Sequence, residues 1–303
     1  MCLLLALQWG GQQYKWSDGR IIALLVIFVV LLVVFIIIQI YQQESATVPP
    51  RIAKQQTIAA GTFYAFCLGS TFLLMVYYLA VWFQAIKGDT AIRSGYSTLP
   101  LILSLVVASI FSGALVSRIG YYNPSILSGA ILVPIGAGLF TLFKTTTGSP
   151  MWIGVQVLMG FGIGMGLQQT NIAAQTVLDK KDAPTGVSLV FFGQGLGGTI
   201  SVAIGQNILD NKLISGLSKF GNINAQDIIN GGATDLRAMF NQQQLGEVLE
   251  VYNQAIVTIF YCALAFACAA MFGALGMEWR SVKKGKAPAL PLDVEEQQEV
   301  KES

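Results

Sequence analysis

The residues of this chain that could do chemistry in an apolar setting are amides. Read at about 100° per residue, Gln156, Gly160, Gly164, Gln168, Asn171 and Gln175 fall within an arc of about 120° on one side of a helix. Gly193, Gln194, Gly197, Ser201 and Gly205 share a second such side, again about 120° wide. Uncharged amides facing one way at membrane depth offer hydrogen bonds to neutral or weakly polar molecules. They serve equally as glue across helix contacts, and the residues alone leave both readings open. Gly160, Gly164, Gly193 and Gly197 read as packing positions. Each Gly costs about 1 kcal/mol against Ala in a helix in water, whereas in lipid small residues let neighbouring backbones approach.

Other chemistries lack the residues they need. The sequence contains no histidine, which removes imidazole catalysis and histidine-held metals. Its four cysteines, Cys2, Cys67, Cys262 and Cys268, suggest neither a disulfide framework nor a zinc site. The apolar segments hold no carboxylate pair, Ser-Lys dyad or metal cluster, so the reading is not an enzyme and no cofactor is expected. Gly160-x-Gly-x-Gly-x-Gly166 and Gly193-x-Gly-x-Gly-Gly198 look like nucleotide-binding loops, but such a loop follows a strand and precedes an acidic residue about 20 positions on. Both lie inside charge-free segments. A net charge of +2 gives no bulk electrostatic reason for a nucleic-acid partner.

The elements that must position these residues are membrane-spanning helices. The 303 residues are 54% hydrophobic and 11% charged, against roughly 25% charged in a soluble domain. Charge-free windows run over 21–43, 55–86, 94–117, 119–143, 145–178, 183–209 and 251–277. Each is long enough for the roughly 20 helical residues that cross a bilayer. The expected fold is an all-α polytopic membrane protein with membrane lipid as a partner. Met1 to Gly11 looks like the tail of a helix, with Trp9, Tyr14 and Trp16 suited to the interface after it. Ile21 to Ile40 reads as a lipid-facing span, and Pro49-Pro50 marks a connector. The span from Ile58 carries Tyr64, Tyr77, Tyr78 and Trp82, so it faces protein or a cavity as well as lipid. Pro134 predicts a kink or close contact in its span. Asp210 to Glu250 reads as a long polar connection, with a short surface helix over Thr234 to Gln243. Arg280, Lys283, Lys284 and Lys286 form a basic cluster suited to the cytoplasmic side, and Asp293 to Ser303 reads as disordered. With that end inside, Lys plus Arg number ten inside and eight outside.

Several segments carry a specific resemblance. Tyr77-Tyr-Leu-Ala-Val-Trp-Phe-Gln-Ala-Ile-Lys-Gly88, Ser94-Gly-Tyr-Ser-Thr-Leu-Pro100, Gln175-Thr-Val-Leu-Asp179 and Ala183-Pro-Thr-Gly-Val187 resemble fungal major facilitator superfamily multidrug efflux proteins, the fourteen-span drug:proton antiporter branch. Gly113-Ala-Leu-Val-Ser-Arg-Ile-Gly120 is similar to that superfamily's cytoplasmic Gly-x-x-x-Asp-Arg-x-Gly loop. Ser117 stands where the pattern favours Asp, and Ala80 where family sequences often have Pro. On the residues alone, Gly113 and Gly120 flank a tight turn, and Arg118 is either a basic anchor or a gating residue.

The resemblance covers Leu3 to Trp279 and implies a domain plan. Residues 1–20 are the stump of one extra central helix and a loop, 21–54 a second extra helix and connector, 55–277 a C-terminal six-helix bundle with an outer connection at 210–253, and 278–303 a cytoplasmic tail. It implies efflux of small amphipathic organic compounds across the plasma or vacuolar membrane, proton-coupled in the full-length form. The substrate path would then involve Tyr77, Tyr78, Trp82, Gln168, Asn171, Gln175 and Gln194. An N-terminal bundle would be missing yet required, and the coupling group with it, because the charge-free windows hold no ionisable carboxylate. A non-transporting partner or regulator of full-length transporters is the alternative.

Overall fold

The computed structural model describes residues 1–10, 14, 16–42, 46, 48–217 and 242–285. Two helices precede the main body. The first, α1 (Cys2–Trp9), packs on α2 (Gly19–Gln42) and on a later helix, α10. Along α2 the side chains are apolar on every side and Ile21 is its buried residue. That is the pattern of a helix whose solvent is lipid. Pro50 then opens the short α3 (Pro50–Ala53), its fixed φ suiting a helix start.

The remaining helices form a bundle. First comes α4 (Gln56–Trp82), capped by the Gln55 side chain on the Ile58 amide at 2.9 Å and continued by a π-helical turn at Phe83–Lys87. After α5 (Ala91–Ser97) and α6 (Leu99–Ile119), Gly120 closes the helix at φ 83°, a left-handed position that glycine adopts freely. Pro134 is carried inside α7 (Asn123–Phe140) without ending it. Next are α8 (Ser149–Leu167), α9 (Gln169–Val177), α10 (Ala183–Leu217) and α11 (Gln242–Leu275), with a 3-10 turn at Val282–Gly285.

Among the described residues, seven helices or helix pairs are long and apolar enough to cross a membrane. They coincide with the seven charge-free windows, with three differences, one being that α11 starts at Gln242 and so carries Glu247 and Glu250 ahead of the window 251–277. The window 145–178 is a broken pair, α8 and α9, rather than one rod. The window ending at 209 is exceeded, because α10 runs on to Leu217 with Leu209, Leu213 and Leu217 all buried at helical spacing. The expectation that the spans contain no carboxylate is therefore corrected: Asp210 lies within α10 and is buried. The surface helix expected over Thr234 to Gln243 falls mostly outside the described residues, as do Lys286 and the Asp293 to Ser303 tail.

By chain order the bundle falls into two three-helix units, α4–α6–α7 and α8/α9–α10–α11, and its main packing runs between them. Its first helix, α4, packs on α10 and α11, while the first helix of the second unit, α8, packs on α6 and α7. Exchanging the units maps one set of contacts onto the other, as expected of internal repeats. At one end lie Arg51, Lys54, Arg118, Lys180, Lys181, Arg280 and Lys283, and at the other Arg20, Lys87, Arg93, Lys144 and Lys212. The first end is the more basic, the property that the positive-inside rule associates with the cytoplasmic side.

Candidate functional site

The two seams of the bundle are built from glycine against carbonyl oxygen. A Cβ added at Gly160 or Gly164 of α8 would overlap the Leu101 or Leu105 carbonyl of α6. A Cβ at Gly197 of α10 would overlap the Phe66 carbonyl of α4, and one at Gly193 would stand 2.7 Å from the Thr62 methyl. Ser104 of α6 donates to the Val157 carbonyl at 2.6 Å and Ser201 of α10 to the Ser70 carbonyl at 3.1 Å. Close backbones and hydroxyl bridges of this kind hold helices together where lipid removes the hydrophobic drive.

Beside the α6–α8 seam lies a buried polar knot. The Met165 carbonyl accepts from Ser112 at 3.0 Å and Ser125 at 2.9 Å, and the two hydroxyls also touch each other. Gln169 donates to Ser112 at 2.7 Å. Two hydroxyls crowding one carbonyl just before Gln168 sit where α8 gives way to α9, and side chains entering the helix ladder are a recognised cause of such breaks.

The break divides the predicted amide stripe. Gln156, Gly160 and Gly164 are buried, Gln168 and Gln175 are exposed, and Asn171 between them is only 6% exposed. Neither polar atom of the Asn171 side chain finds a partner among the described residues. On α10, Gln194 is half-buried, its carbonyl and Cγ lying over Gly69 of α4. Tyr77 is half exposed, whereas Tyr78 is buried and donates to the Val202 carbonyl at 3.1 Å. Trp82 is fully buried, donating to Asn253 at 2.8 Å within a cluster of Phe83, Phe140, Phe143 and Phe260. Gln168, Gln175 and Tyr77 are thus exposed and Tyr78, Trp82 and Asn171 buried, but they do not converge: Gly61 of α4 lies against Thr170 of α9, and Tyr77 and Trp82 stand about 24 and 31 Å further along α4.

Asp210 was not singled out by sequence, because it follows the last charge-free residue. The signal was there in Leu209, Leu213 and Leu217, which continue the apolar face past it. The Gln206 amide lies 3.1 and 3.3 Å from its two carboxylate oxygens. Tyr78 of α4 and Tyr252 of α11 are within its electrostatic reach.

The basic end is tied by its backbone. Gly120 offers its carbonyl to the Val282 amide at 2.8 Å, and Lys283 donates to the Arg118 carbonyl at 2.7 Å while its chain covers Gly120. Tyr122 donates to the Glu278 carbonyl, and burial lifts its phenol above its ordinary value, so it stays a neutral donor. Arg118 itself is exposed, and Gly113 has open space beside it. Across the same end Arg51 pairs with Asp182 at 2.9 Å.

The profile of the Major Facilitator Superfamily matches residues 3–202. The chain is 48% identical over 283 residues to the rubrofusarin-specific efflux pump aurT of Gibberella zeae, covering 93% of this chain and 52% of that protein. It is 48% identical over 287 residues to the MFS-type efflux pump MFS1 of Trichophyton rubrum, covering 94% and 54%. To the MFS thioclapurine efflux transporter tcpA of Claviceps purpurea it is 44% identical over 296 residues, covering 97% and 55%. The chain spans about half the length of these curated relatives. Its helical membrane spans, its two exchangeable three-helix units and the extent of these matches agree: the chain belongs to the Major Facilitator Superfamily.

Proposed function

We propose that this bundle forms one wall of an export path for small amphipathic organic molecules, working against a second six-helix bundle around a midplane site. The observation that carries the reading is that Gln168, at the α8–α9 junction, and Gln175 on α9 expose their amides within a membrane-length span. Lipid gives an amide no partner, so such side chains belong to a face that meets water, substrate or protein. In this reading Gln194 and Tyr77 extend the path toward the other end of the bundle, with Tyr78 and Trp82 buried at that end and Asn171 buried between the two exposed amides. Relatives named as efflux pumps for rubrofusarin and thioclapurine support the direction and the substrate class. The path lies in the plasma or vacuolar membrane, and imaging a tagged chain separates the two.

The test places cysteines at Gln168 and Gln175 after replacing the native four, with the chain expressed beside an N-terminal bundle of a relative. A water-soluble thiol reagent is expected to label both positions, and transported substrate to protect them. Lipid-facing Val157, 43% exposed, is the control and should stay unlabelled. Equal behaviour at all three positions rejects the reading.

Proton coupling, in this reading, uses Asp210. Asp210 is 3% exposed, its carboxylate accepts from the Gln206 amide, and it lies within electrostatic reach of two buried phenols. A carboxylate of that kind can gain and lose a proton as its surroundings change. Asp210→Asn is expected to abolish gradient-driven export while leaving substrate exchange across the membrane intact. Gradient-driven export at the unaltered rate would remove Asp210 from the mechanism.

A further inference from the structure

We propose that the end of the bundle opposite the basic one binds the head and upper chains of a zwitterionic phospholipid from the outer leaflet. A cavity of about 850 Å³ lies there between α11 and the turn joining α7 to α8. Lys144 enters it from the turn and Glu250 from α11. Both side chains are exposed, and neither belongs to a salt bridge among the described residues. The contact recorded for the Glu250 carboxylate is a long 3.5 Å approach from Gln254.

The wall changes character with depth. Near Lys144 and Glu250 it carries the Thr146 hydroxyl, and further along α11 it offers Val257 and Tyr261 opposite Leu142. Eleven residues of helix separate Glu250 from Tyr261, about 16 Å at 1.5 Å per residue. That is a polar mouth above an apolar slot, with one cation and one anion across the mouth. A phosphate fits beside the Lys144 ammonium and the Thr146 hydroxyl, and a choline or ethanolamine cation fits beside Glu250. A net-anionic head such as phosphatidylglycerol keeps the phosphate for Lys144 but lacks the cation that meets Glu250, and a cationic amphiphile would be repelled by Lys144.

The mouth is also pre-shaped. Lys87 of the π-helical turn donates to the Thr145 carbonyl at 3.0 Å, and buried Asn253 donates to the Phe143 carbonyl at 3.1 Å. Thr147 accepts from the Lys144 amide at 2.8 Å and closes the turn on itself. Three contacts from α4, α11 and the turn hold the backbone on which Lys144 is carried. Little ordering therefore remains to oppose binding. The site does not depend on the transport reading, since it lies against the lipid and uses none of the path residues.

The test is native mass spectrometry of the purified full chain, titrated in detergent with phosphatidylcholine, phosphatidylethanolamine or phosphatidylglycerol. The two zwitterionic lipids are expected to bind about fivefold more tightly than phosphatidylglycerol, the worth of one well-placed charge contact. Glu250→Gln should erase that preference, and Lys144→Gln should weaken all three, while Lys144→Arg keeps the wild-type order. Glycerophosphocholine, a head without chains, should not compete. Both residues are exposed, so circular dichroism should report unchanged folding. Equal binding of phosphatidylglycerol to wild type, indifference to both variants, or full competition by the free head would each overturn the proposal.

Discussion

At the scale of single residues, glycines two positions apart have opposite duties. Gly197 touches the α4 backbone where a Cβ would overlap the Phe66 carbonyl, whereas Gly195, two residues earlier, has nothing within 4 Å. Gly197→Ala is expected to cost about 1–3 kcal/mol, the usual range for overpacking. Gly195→Ala should be neutral or gain up to about 1 kcal/mol from helix propensity. Thermal unfolding in detergent checks both, and equal effects would mean that α10 does not pack on α4 as described. Asn171 gives a second contrast. Its amide is buried without a partner among the described residues, and desolvating such a group costs about 1–3 kcal/mol. Asn171→Leu, similar in size, should therefore raise the unfolding temperature while reducing affinity for any substrate that needs the amide. A lowered unfolding temperature would show that Asn171 is satisfied in the membrane.

At the scale of elements, the basic end is a clasp between the two three-helix units. Gly120 ends α6 with φ 83°, a conformation that disfavours other residues by about 1–2 kcal/mol, and Lys283 packs over it. Gly120→Ala should lower stability by about that amount, and Gly120→Asn by less, because Asn tolerates the left-handed region. Val282→Pro removes the amide that meets the Gly120 carbonyl and should loosen the same clasp, which hydrogen exchange at Val282 to Gly285 in the Gly120 variants would register. This clasp was half legible in the sequence. Gly120 and Arg118 stood out by motif, but Val282 and Glu278 act through backbone atoms that composition does not mark, and the Tyr122 hydroxyl meets one of them. The spans were legible because charge is expelled from lipid, so windows between charges trace helices closely. The α8–α9 break was not, since Ser112 and Ser125 that crowd Met165 come from two other helices. Periodicity assumes one continuous rod, so it placed Gln156 on the same side as Gln168 and Gln175, and the break separates it from them, whereas Asn171 shares α9 with Gln175 and is buried by its neighbours. Asp210 was missed for the converse reason. A charge was read as the end of a span, while three leucines carried the helix on.

At the scale of the whole molecule, the bundle has outward surfaces of two kinds. Along α2 and α6 the exposed side chains are almost wholly aliphatic or aromatic, as at Leu103, Val106, Val107, Ile110 and Phe111, which suits lipid. On α9 the exposed Gln168 and Gln175 interrupt that character. A transport path of this superfamily is enclosed between two bundles that rock against each other, and a single bundle leaves such a face open on one side. The chain expressed alone is therefore expected not to transport. Two copies pairing through the amide faces would not replace a second bundle of different surface, since each would present the same groups in the same membrane orientation. The check is reconstitution of the purified chain in liposomes with an imposed pH gradient and a panel of fluorescent lipophilic dyes. Dye movement should stay at the protein-free rate for the chain alone and rise, saturably and with the gradient, when an N-terminal bundle of a relative is co-reconstituted. Saturable, gradient-dependent movement by the chain alone would establish that two identical bundles suffice, and Asp210→Asn in that setting would then tell whether both copies carry the proton.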